Sequence, residues 1–205
     1  MGIYMHSIDR HPPSFSNSEQ KKILAVSGKY SEHCRDHIII SLALGTGMRE
    51  MEIAALNVGD ILTPKGRVTS YFQLRIFKKS TKQPALQIVY LNETLRSKLA
   101  KYIDWKARRG QSLNPNEPLL ISKKKERLSK SRMRSLFREW QKKAGFERLK
   151  NFHALRHTAI SNHYRLHKDL ALTQDFARHR DPMTTRIYTL PTQDEMLAGC
   201  QGLEC

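Results

Sequence analysis

Apolar residues recur along this chain at two different periods, and the period separates helix from strand. In NETLRSKLAKYIDWKA (92–107), Leu95, Leu99, Tyr102 and Ile103 fall at steps of three and four, which predicts an amphipathic helix. SKSRMRSLFREWQKKAG (129–145) sets Met133, Leu136, Phe137 and Trp140 on one face and closes on Gly145, a natural C′ residue. EHCRDHIIISLALG (32–45) carries an apolar run too continuous for a surface helix, so it is expected at the centre of the core. SNSE at 16–19 can form a capping box, Ser16 accepting from the backbone and Glu19 reaching back, and opens a helix through about Ser27. GTG at 45–47 breaks the central helix, and MREMEIAALN begins a short one.

Between 61 and 91 the period changes. YFQLRIF alternates Phe72, Leu74 and Ile76 with Gln73 and Arg75, the pattern of a half-buried strand. ALQIVYL reads as its partner, with polar KKSTKQP as the hairpin between them. SLNPNEPLL reads as a loop. HALRHTAISNHYRLH, LALTQDFARH and PMTTRIYTL read as three more helices, Pro182 suiting an N1 position. Residues 1–15 read as a tail or linker. The predicted class is α+β, mostly α-helical, with a small antiparallel hairpin packed on a helical core.

Charge narrows the function. The 205 residues carry a formal net charge of +17, spread along the chain and densest in KKSTK (78–82), KARRG (106–110) and KKKERLSKSRMR (123–134). Such a field suits a polyanion, nucleic acid first; a solvated basic surface or a binder without catalysis is the alternative. Cys34, Cys200 and Cys205 form no CxxC, which argues against a disulfide scaffold or zinc knuckle and fits a reducing compartment. Cys34 reads as a small core residue. IIISLALGTG (38–47) is too short to span a bilayer, and residues 1–15 are too polar for a signal peptide. A soluble, cytoplasmic protein is expected.

Three stretches carry candidate chemistry. In HALRHT, His153 and Arg156 are three apart and share a helix face. The pairs His153/His157 and His163/His167 have zinc-like spacing, but no glutamate or cysteine accompanies them and interleaved arginines disfavour a divalent cation. In GTGMREMEIAALN, Arg49 follows a glycine-rich turn, with Glu52 one turn on. Such a pair on a surface is weak; apolar flanks instead predict Arg49 projecting from a buried framework with Glu52 holding its guanidinium. In RHRDPMTTRIYTL, Tyr188 lies nine residues after His179. A phenol, with pKa near ~10, needs cationic neighbours and a proton acceptor to act as a nucleophile.

Taken in order, TGMREMEIAAL, a hairpin lysine, HALRHT, and His179 followed by Tyr188 resemble the catalytic domain of the tyrosine recombinases, the phage-integrase family, from about Ser16 to Thr192. The resemblance implies the recombinase catalytic fold over 16–191, with 192–205 as a C-terminal tail. It implies site-specific cleavage and rejoining of double-stranded DNA through a 3′-phosphotyrosyl link, with no metal and no nucleotide cofactor. Arg49 and Arg156 would bind the non-bridging oxygens. His153 would accept the phenol proton or orient the phosphate, His179 would donate to a non-bridging oxygen, and Tyr188 would attack. A hairpin lysine would protonate the leaving 5′-oxygen: counting back from IVYL favours Lys82, the choice made here, and counting forward favours Lys79.

The same resemblance exposes departures. The family's LGH reads ARH, with Arg178 in the glycine's place, either adding a phosphate contact or displacing His179. Family members generally carry an N-terminal clamp domain, whereas about 15 residues precede the first helix here; an excised domain and a naturally small recombinase, like those inverting fimbrial promoter switches, both fit. Without a clamp, DNA affinity is expected to be weak and to fall steeply with salt. Met196, Leu197, Cys200 and Leu203 recur at helical spacing; the family passes such a tail to a neighbouring subunit, and self-docking is the alternative. A tetramer on DNA and a free monomer are expected. A type IB topoisomerase, or a catalytically silent DNA-binding relative, are the competing functions.

Overall fold

The structure, a computed structural model, describes residues 12–29, 34–75, 87–190 and 199–201. By packing the described residues form two compact units, one over Pro13–Ala159 and a smaller one from Ile160 onward.

In the larger unit, α1 (Asn17–Gly28) opens on the expected capping box: Ser16 Oγ accepts from the Glu19 backbone and Glu19 Oε2 accepts from the Ser16 backbone. Phe15, counted with the tail in the sequence, instead belongs to the core. It packs edge-on against Phe137, and its backbone N–H donates to Thr158 Oγ1 at 2.8 Å. α2 (Cys34–Thr46) is buried all round at Ile38, Ile39, Ile40, Leu42 and Ala43, as its unbroken apolar run requires. α1, α5 (Glu93–Arg108) and α6 (Lys130–Lys143) pack around it. Asp36, buried in the first turn of α2, accepts from Trp140 Nε1 of α6 and from the Arg35 guanidinium. Cys34 is half-buried against the core rather than within it.

α5 and α6 bury the faces their spacing predicts: Leu95, Leu99, Tyr102 and Ile103 on one, Met133, Leu136, Phe137 and Trp140 on the other. The sheet is one antiparallel pair. β1 (Tyr71–Gln73) faces β2 (Ile88–Tyr90), with Phe72 opposite Val89 and Tyr71 opposite Tyr90. The alternation holds through Arg75: Phe72 and Leu74 are buried, Gln73 and Arg75 exposed. Residues 76–86, which include Ile76 and the predicted hairpin tip, lie outside the described residues. Two short helices, α3 (Glu50–Ala55) and α4 (Val58–Ile61), precede the sheet; the second was not legible in the pattern.

The division between units falls inside α7 (His153–His167). The smaller unit continues with α8 (Leu170–Ala177) and α9 (Pro182–Arg186), which pack on each other around Ile160, Ala177 and Tyr188. Pro182 takes the N1 position under an Asp181 cap. Both helices end earlier than the apolar pattern suggests, at Ala177 and Arg186. Of the expected tail face, Met196, Leu197 and Leu203 lie outside the described residues, and Cys200 is exposed. Among the described residues no helix is long and apolar enough to cross a membrane.

Candidate active site

Arg49 is held at the junction of α2 and α3. Gly47 ends α2 with φ of +60°, a conformation that suits glycine, and its N–H closes on the Ala43 carbonyl. Two residues on, Arg49 takes an extended conformation just before the first turn of α3. Glu52, fully buried, meets it twice: Oε2 accepts from the Arg49 backbone N–H at 2.7 Å, and Oε1 accepts from Nη1 at 2.8 Å. The carboxylate thus caps the helix and fixes the guanidinium, leaving about a quarter of the Arg49 side chain (26%) open to solvent.

Arg156 closes the first turn of α7 and is only 2% exposed. Its Nη1 donates to the carbonyl of Gly47, the residue that positions Arg49. The loop at Gly47 therefore holds the Arg156 guanidinium and leads into Arg49, whose own guanidinium is held by Glu52. α7 itself is started by Asn151, whose side chain accepts from the Ala154 N–H at 3.0 Å, and is anchored by buried Phe152, Ala154 and Leu155. His153, the first residue of α7, is exposed to solvent and meets the His157 ring edge-on at 4.5 Å. Partial desolvation of the ring against its neighbours, then the charges of Arg156 and Arg49, push the His153 pKa below the ordinary imidazole value. Burial, His153 and Arg156 push His157 down to about 4. Both rings are neutral near pH 7, and a neutral imidazole can take a proton.

His179 and Tyr188 belong to the smaller unit. α8 ends in a Schellman motif: the Arg178 N–H closes on the Asp175 carbonyl and the His179 N–H on that of Gln174, at 3.0 and 3.1 Å. Arg178 occupies the left-handed position of that motif, with φ of +55°. This is a physical reason for a glycine there. The arginine accepts the strained backbone, and its Nη1 donates to the Phe176 carbonyl at 3.0 Å. His179 is the next residue, and its Nδ1 is 2.9 Å from the hydroxyl of buried Thr185. The Gln174 side chain also donates to the His179 carbonyl. Tyr188 follows α9, with its ring stacked 6.1 Å from that of His179 and packed with Ile160, Ala177 and Phe176.

The larger unit thus brings together Arg49, Glu52, His153 and Arg156, and the smaller brings together Arg178, His179 and Tyr188. Lys79 and Lys82 lie outside the described residues. Sequence reasoning missed the Gly47 carbonyl, Thr185, and, having weighed the His153/His157 pair only as a zinc-like spacing, His157 as the ring beside His153. Only the last had a signal, its i,i+4 spacing. Among the described residues no group of three His, Cys, Asp or Glu side chains could hold a metal ion.

The sequence pattern of the phage integrase family matches residues 14–195. The chain belongs to that family. This integrase-family chain is 32% identical over 183 residues to tyrosine recombinase XerC of Caldanaerobacter subterraneus subsp. tengcongensis, a match covering 88% of the chain and 48% of that relative. It is 27% identical over 185 residues to tyrosine recombinase XerA of Pyrococcus furiosus, covering 88% of the chain and 58% of the relative. The chain therefore spans about half the length of the curated relatives it matches. Its fold is that of the crystal structure of XerA recombinase, with a TM-score of 0.75 at 24% identity over 95% of the chain and 67% of that structure. XerH site-specific recombinase bound to difH substrate shares it with a TM-score of 0.69, 24% identity, 98% of the chain and 56% of that structure.

Proposed function

We propose that this chain is a site-specific DNA recombinase that cleaves and rejoins strands through a 3′-phosphotyrosyl intermediate. The observation that carries the reading is the Gly47 loop, which holds Arg156 by its carbonyl and sets Arg49 against a buried carboxylate. Two guanidinium forks held this firmly suit a phosphodiester whose non-bridging oxygens gain charge in the transition state. The family membership and the relatives named as tyrosine recombinases support it. The XerH relative bound to difH substrate supports double-stranded DNA as the partner.

In this mechanism the Tyr188 oxygen attacks phosphorus. The new P–O bond forms as the bond to the 5′-oxygen breaks, and the phenol proton passes to neutral His153. His179, with Nδ1 engaged by Thr185, donates to a non-bridging oxygen. The departing 5′-oxygen takes its proton from Lys82, with Lys79 as the alternative donor. Attack by that 5′-hydroxyl, or by one from another duplex, reverses the steps and frees Tyr188. The roles belong to residues 16–191 as one catalytic domain, and residues 192–205 serve as a tail exchanged between subunits of a tetramer assembled on DNA.

The test uses a library of nicked duplexes with randomised sequence, incubated with the protein in EDTA and run on a denaturing gel. A covalent adduct is expected with the wild type and none with Tyr188→Phe. No wild-type adduct, or one that survives in Tyr188→Phe, overturns the proposal. Relaxation of any supercoiled plasmid regardless of sequence would point to a topoisomerase instead.

A further inference from the structure

A second cationic site lies at the other end of the larger unit. Where α5 ends and the loops around 110–125 begin, a cavity of about 770 Å³ is lined by Arg35, Lys106, Arg109, Lys123 and Lys125, with Glu117 its one carboxylate. The volume falls within the range of roughly 300–1,000 Å³ typical of small-ligand sites. Lys106 is the unusual member. It is 1% exposed, and its Nζ donates to Gln111 Oε1 at the long distance of 3.4 Å. Among the described residues no carboxylate lies within ion-pair distance of it. Burial pushes its pKa down, with Glu117 opposing. A buried ammonium with one weak acceptor is costly unless an anion completes its shell.

The other cations are already arranged. Arg35 is fixed by Asp36 and by the Ile121 carbonyl, and Arg109 lies 4.8 Å over the Trp105 ring. Lys125 sits at φ of +63°, where glycine would be relaxed, in the tight turn that the Lys125 N–H closes on the Ser122 carbonyl. One buried ammonium, two exposed ones and two guanidinium groups lining the same cavity suit an anion with several acceptor oxygens.

This anion is not the scissile phosphate. α2 rises about 18 Å between Arg35 and Gly47, so the cavity and Arg49 mark opposite ends of that helix. α5 runs antiparallel beside it: Leu95, near its start, abuts Gly45, while the charge of Arg108, at its end, acts on Cys34.

We propose that this cavity is a second phosphate-binding site, remote from the candidate catalytic arginines. The phosphate comes either from a free phosphorylated small molecule or from a DNA backbone held away from the cleavage point. Inorganic pyrophosphate is the probe, added at constant ionic strength and followed by thermal melting and calorimetry. The wild-type melting temperature is expected to rise and saturate. Lys106→Met is expected to weaken binding at least tenfold, and Lys125→Gly severalfold, although the glycine relieves the strained backbone. Lys21→Gln with Lys22→Gln, which removes two exposed charges from α1, is the control and should leave binding unchanged. If Lys106→Met fails to fold, Lys125→Gly and Lys123→Gln carry the test.

No saturable response in the wild type, or an equal loss in the control, overturns the proposal. With pyrophosphate binding established, a short random duplex tells the sources apart. Weaker duplex binding and a shallower salt slope in Lys125→Gly identify the DNA backbone. Unchanged duplex binding identifies the free ligand.

Discussion

Arg49 and Arg156 are attached to an apolar core that runs from Phe15 to Leu155, whereas Tyr188 is, among the described residues, one of three buried members of the smaller unit's own cluster. In the larger unit the candidate groups hang on an apolar framework to which they do not belong, oriented by a carboxylate and a carbonyl. In the smaller unit the candidate nucleophile is part of what holds the unit together. A region with few buried apolar contacts opens locally at low free energy. Stability and chemistry are therefore separable around the arginines and entangled around the tyrosine.

The sharpest way to break this contrast is Tyr188→Ala. Removing a buried aromatic ring is expected to destabilise the smaller unit by about 3 kcal/mol. Hydrogen exchange should speed up across residues 160–190 and stay unchanged across 34–75. Tyr188→Phe keeps the ring and should change exchange little while abolishing the covalent adduct; equal exchange in both variants would undo the comparison. Next is Glu52→Ala, which strands the Arg49 guanidinium and its backbone N–H and is expected to lose about 2–3 kcal/mol in urea unfolding of the larger unit. Glu52→Gln keeps an acceptor and should lose less.

Acid probes the same contrast more gently. His37 Nδ1 lies 3.0 Å from Ser27 Oγ, and its Nε2 lies 3.4 Å from Ser41 Oγ, which also accepts from Lys98 Nζ. Burial, then the charge of Lys98, lowers the His37 pKa to about 4, and His157 is also near 4. Both folded values lie below the unfolded value of about 6.5. The stability they contribute is therefore complete above about pH 6.5 and is lost as pH falls toward 4. Urea midpoints at about pH 7.5 and about pH 5 should separate, and His37→Gln should narrow the gap for the larger unit. His163 is shifted the same way in the smaller unit, so its acid response should survive that variant. The smallest effect is expected from Arg178→Gly, which relaxes the left-handed residue and should raise stability by about 0.5–1 kcal/mol. A loss would mean that the Arg178 contact with the Phe176 carbonyl outweighs the strain.

What could be read from sequence follows from range. Ser16 and Glu19, Arg49 and Glu52, Pro182, and the faces of α5 and α6 depend on neighbours within a few residues, and each formed as its spacing predicts. The end of α8 was misplaced because ARH carries no glycine to announce a Schellman turn; only the backbone angle of Arg178 reveals it. Phe15 was misplaced because its partners, Phe137 and Thr158, are remote in the chain. The Arg156 bond to Gly47 joins residues 109 apart, and no local pattern encodes such a pairing. The fold class was legible throughout, and so was the pairing of Arg49 with Glu52. How the Gly47 carbonyl holds Arg156 beside that pair was not.

That loop also predicts how substitutions combine. The Gly47 peptide accepts from Arg156 and leads two residues on into Arg49, whose guanidinium Glu52 holds, so turning that peptide displaces the first group directly and shifts the chain that carries the second. Gly47→Ala and Arg156→Lys would each disturb the same contact, and a double-mutant cycle on DNA cleavage should give much less than the sum of the two losses. Arg49→Lys paired with a distant change such as Lys21→Gln should simply add. Epistasis in this integrase-family chain is thus expected to centre on a residue with no side chain of its own.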